Sequence, residues 1–243
     1  MFNGLPGNTY YLIWNISNHC GISTDTVVIS FASQGWICGN DLVDSRDGQS
    51  YYTVEIDTQC WMRENLNIGR MINGGYGSPG HTNNDTIEKY CMYDSQANCD
   101  VYGGLYEWNE MMQYNPSENG NSESTRGICP AGWHIPTEAE LLALSDYLGG
   151  QYVAGGKLKE TGSDHWHSPN NGATNSSGFT ALGAGYISSS GSFAYLRSKA
   201  RFWSATEYYL NYPWSFALSY SHDNFPRQYA NKNSGFSVRC VKD

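Results

Sequence analysis

The sequence has little charge and no long hydrophobic run. Only 14 Lys and Arg and 23 Asp and Glu occur among 243 residues, and the formal net charge is −9. No cluster of basic residues is present, which argues against nucleic-acid binding. No apolar run approaches the roughly 18 residues that a membrane-spanning helix needs. We therefore expect neither a nucleic-acid partner nor a membrane-spanning segment.

Two further features are missing. Residues 1–4 lead straight into a strand pattern without a signal peptide, so we expect Met1 to be an artificial start or to follow a processed segment. The seven cysteines include no Cys-x-x-Cys pair, which weakens a zinc interpretation. Scarce charge and abundant aromatics instead favour disulfides formed outside the cytosol. The odd count leaves one thiol over, and Cys20, apart in the N-terminal segment, is the expected free cysteine.

What the chain has in quantity is glycine and aromatic residues. It contains 27 Gly, 19 Tyr and 8 Trp. This profile is typical of a loop-rich extracellular domain whose aromatic side chains fill an irregular core. A chain of this length holds one large domain, or one domain plus a fragment, and buries about 70% of its unfolded surface.

The fragment is predicted at residues 1–36, ahead of a main domain at 37–243. Residues 8–16 and 24–31 are strand-like and residues 17–23 form the turn. This β-hairpin resembles the last two strands of an immunoglobulin-like module of bacterial surface proteins. A lone hairpin is marginal in water. We therefore expect residues 1–32 to dock on the main domain or to join another molecule by strand addition, with residues 32–36 as the link.

Two amphipathic helices are predicted in the main domain. Residues 102–114 carry apolar side chains at helical spacing and end before Asn115-Pro116. The second helix follows a capping box of Thr137 and Glu140 and stops at Gly149-Gly150. Its predicted apolar face comprises Leu141, Leu142, Leu144, Tyr147 and Leu148.

Several acidic and histidine residues invite chemical interpretations. Asp44 and Asp47 suggest calcium, but the EF-hand alternation and closing Glu are missing, which favours a polar turn. Glu107 and Glu110 suggest a catalytic carboxylate pair, although two acids on the solvent side of a helix are the commoner arrangement. We predict no enzyme activity and no cofactor, with calcium kept as an open alternative.

Three histidines also suggest metal binding. His134 precedes the second helix, and we expect it to be packed and hydrogen-bonded rather than a metal ligand. His165 and His167, with Asp164, suggest a metal site: two residues apart on a strand, the histidines share a face, but no third ligand has a convincing spacing. Trp166 between them is expected to anchor the core, and we predict no metal site. A deep pocket lined by Glu107, His134 and His165 would favour an enzyme instead.

The C-terminal region combines two strands with a polar insert. FWSATE (202–207) and GFSVRCV (235–241) are predicted to be buried strands. The insert between them is crowded with Tyr, Ser and Asn, which give adaptable binding surfaces large contact area and flexible hydrogen bonding. A polar loop on a secreted β-rich protein is the alternative. Trp214 also fits a buried strand.

Six ordered motifs carry a family resemblance. They are DSRDGQSYYTVEIDTQCWMRENLNIG, YGGLYEWNEMM, CPAGWHIPTEAEL, SGFTALGAGY, FWSATE and GFSVRCV. Over residues 38–243 the chain resembles the Fibrobacter succinogenes major paralogous domain family, found in secreted and surface proteins of bacteria. That family is similar to C-type lectin-like domains, which implies an α+β fold with two helices, small mixed or antiparallel sheets and long loops.

The resemblance also implies disulfide pairings and limits activity. It implies Cys129 with Cys240, Cys38 with Cys60, and Cys91 with Cys99. The Glu-Pro-Asn, Gln-Pro-Asp and Trp-Asn-Asp triplets of sugar-binding lectins are missing here, as is the C-terminal cysteine pair of formylglycine-generating enzymes. Neither activity carries over, because a fold does not supply function where its site residues are missing.

Some relatives with this fold are variable proteins of diversity-generating retroelements, which display mutated residues on a ligand-binding face near the C-terminus. The insert has that composition and position. The resemblance implies a recognition face of Tyr208, Tyr209, Asn211, Tyr212, Trp214, Tyr220, His222, Asp223 and Asn224. We therefore predict an extracellular or cell-surface binding and adhesion module with a protein or glycan ligand. The alternative is a structural subunit of a surface filament, joined through its N-terminal hairpin.

Overall fold

The computed structural model describes residues 9–30, 36–119 and 124–243. The chain divides into two compact units, with the boundary between Ile37 and Cys38. Most of the predicted link, residues 32–36, lies outside the described residues. The likeness of the first unit to an immunoglobulin-like module stays a prediction.

The N-terminal unit is a two-stranded antiparallel hairpin. Strand β1 (Thr9–Asn18) pairs along its whole length with β2 (Gly21–Ser30). The predicted seven-residue turn is wrong, because pairing continues to a two-residue turn of His19 and Cys20. The Cys20 amide donates to Asn18 Oδ1 at 2.8 Å, which satisfies a backbone group that the short turn would leave unpaired. Cys20 is free and exposed, as predicted.

The second unit has an α+β fold of short elements, as predicted. Its described residues form thirteen strands in five small sheets, of which only the pair β7–β8 is parallel. The strands are β3 Leu42–Val43, β4 Ser50–Tyr51, β5 Thr53–Ile56, β6 Gln59–Met62, β7 Arg70–Ile72, β8 Glu88–Tyr90, β9 Trp133–His134, β10 Tyr186–Ile187, β11 Phe193–Ala194, β12 Lys199–Tyr209, β13 Tyr212–Ser219, β14 Arg227–Tyr229 and β15 Val241–Lys242.

The described part of this unit contains four α-helices rather than the predicted two. They are α1 Gln96–Tyr102, α2 Trp108–Met111, α3 Glu138–Tyr147 and α4 Ala154–Leu158. None of the helices in the described ranges is long and apolar enough to cross a bilayer. The two short additions, α1 and α4, are single turns or little more, which a periodicity argument does not detect.

Helix α3 is the element that its own sequence specifies best. The Thr137 hydroxyl accepts from the Glu140 amide at 3.2 Å, while the Glu140 carboxylate accepts from the Thr137 amide at 2.8 Å. This confirms the capping box. Gly149 and Gly150 follow the helix with φ of +101° and +90°, which confirms the predicted stop. Of the predicted apolar face, Leu141, Leu144 and Leu148 are buried, Leu142 is half-buried and Tyr147 is exposed.

The predicted helix over residues 102–114 is wrong for most of its length. Gly103, with φ +79°, ends α1, and a Cβ there would lie 2.6 Å from Asn65 Cβ. The next residues pair as strands do, Leu105 with Tyr90 and Tyr106 with Phe236. Only Trp108–Met111 is helical. The apolar spacing of this segment therefore reflects tertiary packing, which overrides a local helical pattern.

A four-stranded antiparallel sheet joins the beginning and the end of this unit. Its order is β5-β6-β15-β9, so the last strand lies between an early strand and a central one. Three disulfides accompany the sheets: Cys38–Cys60, Cys91–Cys99 and Cys129–Cys240. These are the pairs that the family resemblance implies. Three disulfides are consistent with an oxidising, extracellular setting.

The core is filled by aromatic residues in two main clusters. In the first, Trp203 stacks on Phe236 with ring centroids 4.2 Å apart, which ties FWSATE to GFSVRCV. In the second, Phe179 packs edge-on against Trp61 and Phe202. FWSATE lies within β12 as predicted. The segment 235–241 is buried as predicted, but only Val241–Lys242 forms a named strand and residues 235–237 make single bridges.

Candidate recognition surface

The hairpin of β12 and β13 carries the predicted recognition residues. Residues 202–205 of β12 are buried, Thr206 and Glu207 are half-buried, and Tyr208 and Tyr209 are exposed. The hairpin therefore runs out of the core. Its turn is two residues long, with Asn211 at φ +68°, a conformation that Asn tolerates better than most residues. The Asn211 amide donates to Glu207 Oε1 at 3.0 Å, which holds the turn closed.

Five aromatic side chains meet at the end of this hairpin, and we call them the aromatic tip: Tyr208, Tyr209, Tyr212, Trp214 and Tyr229. Tyr208 stacks on Tyr229 at 5.4 Å, and Tyr209 stacks on Tyr212 at 4.7 Å. Trp214 lies 4.7 Å from Tyr208. Tyr208, Tyr209 and Tyr229 nevertheless remain 53%, 50% and 52% exposed. The rings hold one another in place while half of their surface stays open to solvent.

Charged residues brace the tip from both sides. The Arg227 guanidinium lies 4.2 Å from the centroid of Trp214 and forms an ion pair with Glu138 of α3. Lys232 Nζ lies 2.7 Å from Glu207 Oε1. Although burial opposes ionisation of Glu207, the hydrogen bond and charge of Lys232 hold the pKa of that carboxyl below its usual value. These contacts fix the base of the hairpin and leave Tyr208, Tyr209 and Tyr229 about half exposed.

The other four predicted residues lie at the opposite end of β13. Tyr220 is half-buried and its ring packs 6.0 Å from that of His167. His222 and Asp223 are exposed, and Asn224 is half-buried. Seven residue steps of about 3.4 Å separate the two ends of β13. The prediction that all nine residues form one surface is therefore wrong: the structure separates them into two groups.

The two groups also differ in the sheet face that they join. His222 and Asn224 line a groove of about 340 Å³ with Lys199, Arg201 and Gln228. Its β13 wall is formed by Ala217, Leu218 and Ser219. Ala217 and Ser219 pair with Arg201 and Lys199 of the groove, whereas Tyr212 and Trp214 of the tip occupy the alternate positions of β13. Successive side chains of a strand point to opposite faces. The groove and the tip therefore lie on opposite faces of the sheet.

A buried lysine holds the second group in position. Lys159 follows α4 and is fully buried, and its ammonium donates to the carbonyls of Asn171, Ser219 and His222 at 2.7, 2.8 and 2.8 Å. Burial lowers the pKa of Lys159 to about 8. Three carbonyl dipoles satisfy this cation, and they bind the 219–222 turn to the 171 loop.

The remaining candidate residues fall into separate places. His134 is packed and hydrogen-bonded, as predicted, with Nε2 2.8 Å from Glu140 Oε1 and Nδ1 2.6 Å from Asp243 Oδ1. His165 Nδ1 lies 2.8 Å from Glu160 Oε2. Trp166 is fully buried and donates to the Ala181 carbonyl, which confirms its role as an anchor.

Asp44 and Asp47 lie in a polar turn, as predicted, where their carboxylates accept from the amides of Arg46 and Gln49. Asp44 is buried and accepts both from the Arg46 side chain and from its amide. Glu107 and Glu110 are not on a solvent-facing helix side: Glu110 is 1% exposed and Glu107 is half-buried. Burial raises the pKa of Glu107 to about 7. Within the described ranges, no group of three or more His, Cys, Asp or Glu is placed to hold a metal.

Sequence analysis missed two contributors to these sites. Tyr229 belongs to the aromatic tip, although it follows the predicted face by five residues, because β14 pairs with β13 and places Tyr229 opposite Trp214. His81 contacts Glu107, although it lies in a Gly- and Asn-rich stretch without periodicity. The available signal for Tyr229 was one more tyrosine shortly after the predicted face, directly following Pro226-Arg227-Gln228. Nothing in the sequence marks His81.

Comparison with known proteins identifies the family of the second unit. The model of the Fibrobacter succinogenes major domain matches residues 54–242, which run from the four-stranded sheet through the hairpin of β12 and β13 to the last strand. No protein of curated function matches the chain, and neither does any solved structure. The match covers more than half of the chain. The chain therefore belongs to the Fibrobacter succinogenes major domain family.

Proposed function

We propose that this chain is an extracellular or cell-surface binding module of adhesive character, and that the aromatic tip is its ligand-contacting surface. One observation carries the proposal: three of five rings in mutual contact, Tyr208, Tyr209 and Tyr229, stay half exposed at the end of a hairpin whose base is buried. Large rigid side chains contribute contact area with little loss of conformational entropy. Because the rings stack on one another, most of their conformational entropy is already lost in the free protein.

The chemistry of the tip fits a protein or glycan ligand. Aromatic faces pack against apolar side chains and against the C–H faces of sugars, while the tyrosine hydroxyls accept and donate hydrogen bonds. The charged residues next to the tip, Arg227 and Glu207, are already engaged in ion pairs. The resemblance to C-type lectin-like domains and to variable proteins of diversity-generating retroelements implies a ligand-binding face near the C-terminus, which is where the aromatic tip lies.

The test is a glycan and protein array probed with the purified chain, with and without calcium. A variant with Tyr208→Ala, Tyr209→Ala and Tyr212→Ala should lose the signals that the unaltered chain gives. Tyr52→Ala and Tyr147→Ala are the matched controls, since both tyrosines are exposed outside the tip. Tyr220→Ala tests the second group separately. Array signals that survive the triple variant would overturn the proposal.

A second candidate function rests on the N-terminal hairpin. Tyr11 and Ile13 on one face of β1, and Trp14 and Ile16 on the other, are exposed by 46–68%. Two strands alone cannot cover apolar side chains on both faces. We propose as the alternative that this hairpin joins copies of the chain into a surface assembly. Light scattering should then show oligomers that disappear when residues 1–32 are deleted.

A further inference from the structure

A cleft apart from the aromatic tip brings together His81, Tyr90 and Glu107, none of which belongs to the proposed ligand-contacting surface. It has a volume of about 490 Å³, within the range of small-molecule sites. Its lining includes His81, Tyr90 and Glu107, together with two loops, residues 75–80 and 188–191. The cleft is thus walled by glycine- and serine-rich backbone, and its lining includes the ionisable side chains of His81, Tyr90 and Glu107.

The loops that form its walls are fixed to each other. The Gly75 amide donates to the Gly191 carbonyl at 2.9 Å. A Cβ on Gly191 would collide with the backbone carbonyl oxygen of Gly75, so this close approach requires glycine. At Gly80, a Cβ would lie 3.0 Å from Glu107 Oε1. The cleft is therefore preformed, which lowers the entropic cost of binding.

His81 is held in one tautomer. Its Nδ1 accepts from the Glu107 amide at 3.1 Å, and its ring stacks on Tyr90 with centroids 4.4 Å apart. Burial lowers the pKa of His81 to about 4, so the ring is neutral at pH 7. A neutral imidazole whose Nδ1 accepts must carry its proton on Nε2. That Nε2 is buried and has no hydrogen-bond partner.

Glu107 supplies a group that both donates and accepts. Tyr90 donates its hydroxyl to Glu107 Oε1 at 2.8 Å. With a pKa of about 7, the Glu107 carboxyl carries its proton in a large fraction of molecules at neutral pH. The cleft therefore offers an unpaired N–H donor and a carboxyl that can give or take a hydrogen bond, with the hydroxyls of Ser188 and Ser190 on its rim.

We propose that this cleft is a second binding site, and that its ligand is a neutral saccharide unit. A vicinal diol matches the set of groups, because each hydroxyl donates to one partner and accepts from another. Anions are disfavoured, because Glu88 and Glu110 lie close to Glu107 and the chain carries net negative charge. Tyr76, which is 95% exposed on the loop wall, offers a ring face to the sugar.

The experiment titrates the full chain with glucose, galactose, mannose and N-acetylglucosamine, read by ligand-observed NMR and by the ¹³C-labelled histidine Hε1 signals. One sugar should give a saturable shift of the His81 signal at millimolar concentration. Glu107→Gln, which keeps the size of the side chain, and His81→Phe should each weaken that binding about tenfold. His165→Gln is the control, because His165 pairs with Glu160 away from the cleft.

Each outcome decides the proposal. If none of the four sugars shifts His81, or if binding persists unchanged in Glu107→Gln and His81→Phe, the cleft is not a saccharide site. A thermal melt of Glu107→Gln shows that the variant is folded when binding is lost. The variant with all three tip alanines should keep the His81 shift, since the tip is a separate surface. Loss of the shift in that variant would assign the sugar to the tip and overturn the second site.

Discussion

Tyr208 and Tyr229 stack with ring centroids 5.4 Å apart and an interplanar angle of 18°, although their strands are not hydrogen-bonded to each other. Strand β13 lies between β12 and β14. The stack thus bridges the outer strands of a three-stranded sheet. It makes the tip a single unit rather than a row of independent tyrosines.

Removing one partner of that stack should disturb recognition more than folding. Tyr229→Ala should lower the free energy of unfolding by about 1 kcal/mol, because an aromatic pair and part of its buried area are lost. Ligand capture on the array should fall about tenfold or more, as expected for an aromatic anchor. Urea unfolding and binding titrations measure the two effects. Equal binding by Tyr229→Ala and Tyr147→Ala would show that the tip does not act as a unit.

Lys159 should prove to be a structural cation. Lys159→Met leaves the carbonyls of Asn171, Ser219 and His222 without their donor, and we expect a loss of about 3 kcal/mol in unfolding free energy. Amide hydrogen exchange should speed up at residues 219–224, whose turn the ammonium holds. Lys157→Met, two residues earlier in α4, is the control, with little expected change. Unaltered exchange at 219–224 would contradict the clamp.

The disulfides should differ in their contribution to stability. Cys129 and Cys240 are 111 residues apart and Cys91 and Cys99 only 8. Loop-closure entropy then predicts losses of about 5 and about 3 kcal/mol when each pair is replaced by serine. Equilibrium unfolding in urea of the two double variants gives the comparison. A larger loss for the short loop would show that local strain or packing, rather than chain entropy, dominates.

Glu107 should make stability fall as the solution becomes alkaline. Its folded pKa of about 7 exceeds the ordinary 4.5, so the folded state holds this proton more tightly than the unfolded state. The stabilisation is complete below pH 4.5 and is lost as pH rises through 7, a change of about 3 kcal/mol. Glu107→Gln removes this dependence. Its stability relative to the unaltered chain should therefore rise between pH 4.5 and 7.

Other ionisable groups around Glu107 also contribute to the pH dependence of stability. Glu88, Glu110, Tyr90 and His81 all face the carboxyl. The pKa of His81 is lowered to about 4, so its contribution is present above pH 6.5 and is lost as pH falls through 4. This slope opposes that of Glu107, but it occurs in both proteins and largely cancels in the difference. A pH-independent difference between the two proteins would show that Glu107 ionises normally.

Local chemistry explains which elements were predictable. The capping box of Thr137 and Glu140 and the glycine stop depend only on neighbouring residues, so the sequence predicts α3 well. The segment 102–114 carries an equally convincing apolar spacing. Its backbone instead pairs with Tyr90 and Phe236, and that choice depends on residues far along the chain. Sequence periodicity cannot distinguish these two causes of the same pattern.

The candidate sites show the same limit. The composition of residues 208–224 indicated a surface, and the exposed Tyr208 and Tyr209 are part of one. Composition carries no information about strand direction, and β13 runs through the insert and separates its two ends. Tyr229 and His81 join their sites only through pairing and packing between distant segments. Residue types thus indicated an exposed surface, while strand topology determined which residues belong to it.

The Cys129–Cys240 bond also determines how this domain carries mechanical load. A pull applied at residues 38 and 243 crosses that bond and leaves residues 130–239 out of the stretched path. Cys38–Cys60 shortens the path at the other end in the same way. Only the stretch from Cys60 to Cys129, itself shortened by Cys91–Cys99, lengthens when β6 and β15 are drawn apart. The tip lies wholly within the loop that this bond closes, so tension between the two ends of the domain extends another segment and leaves the tip's backbone unstretched.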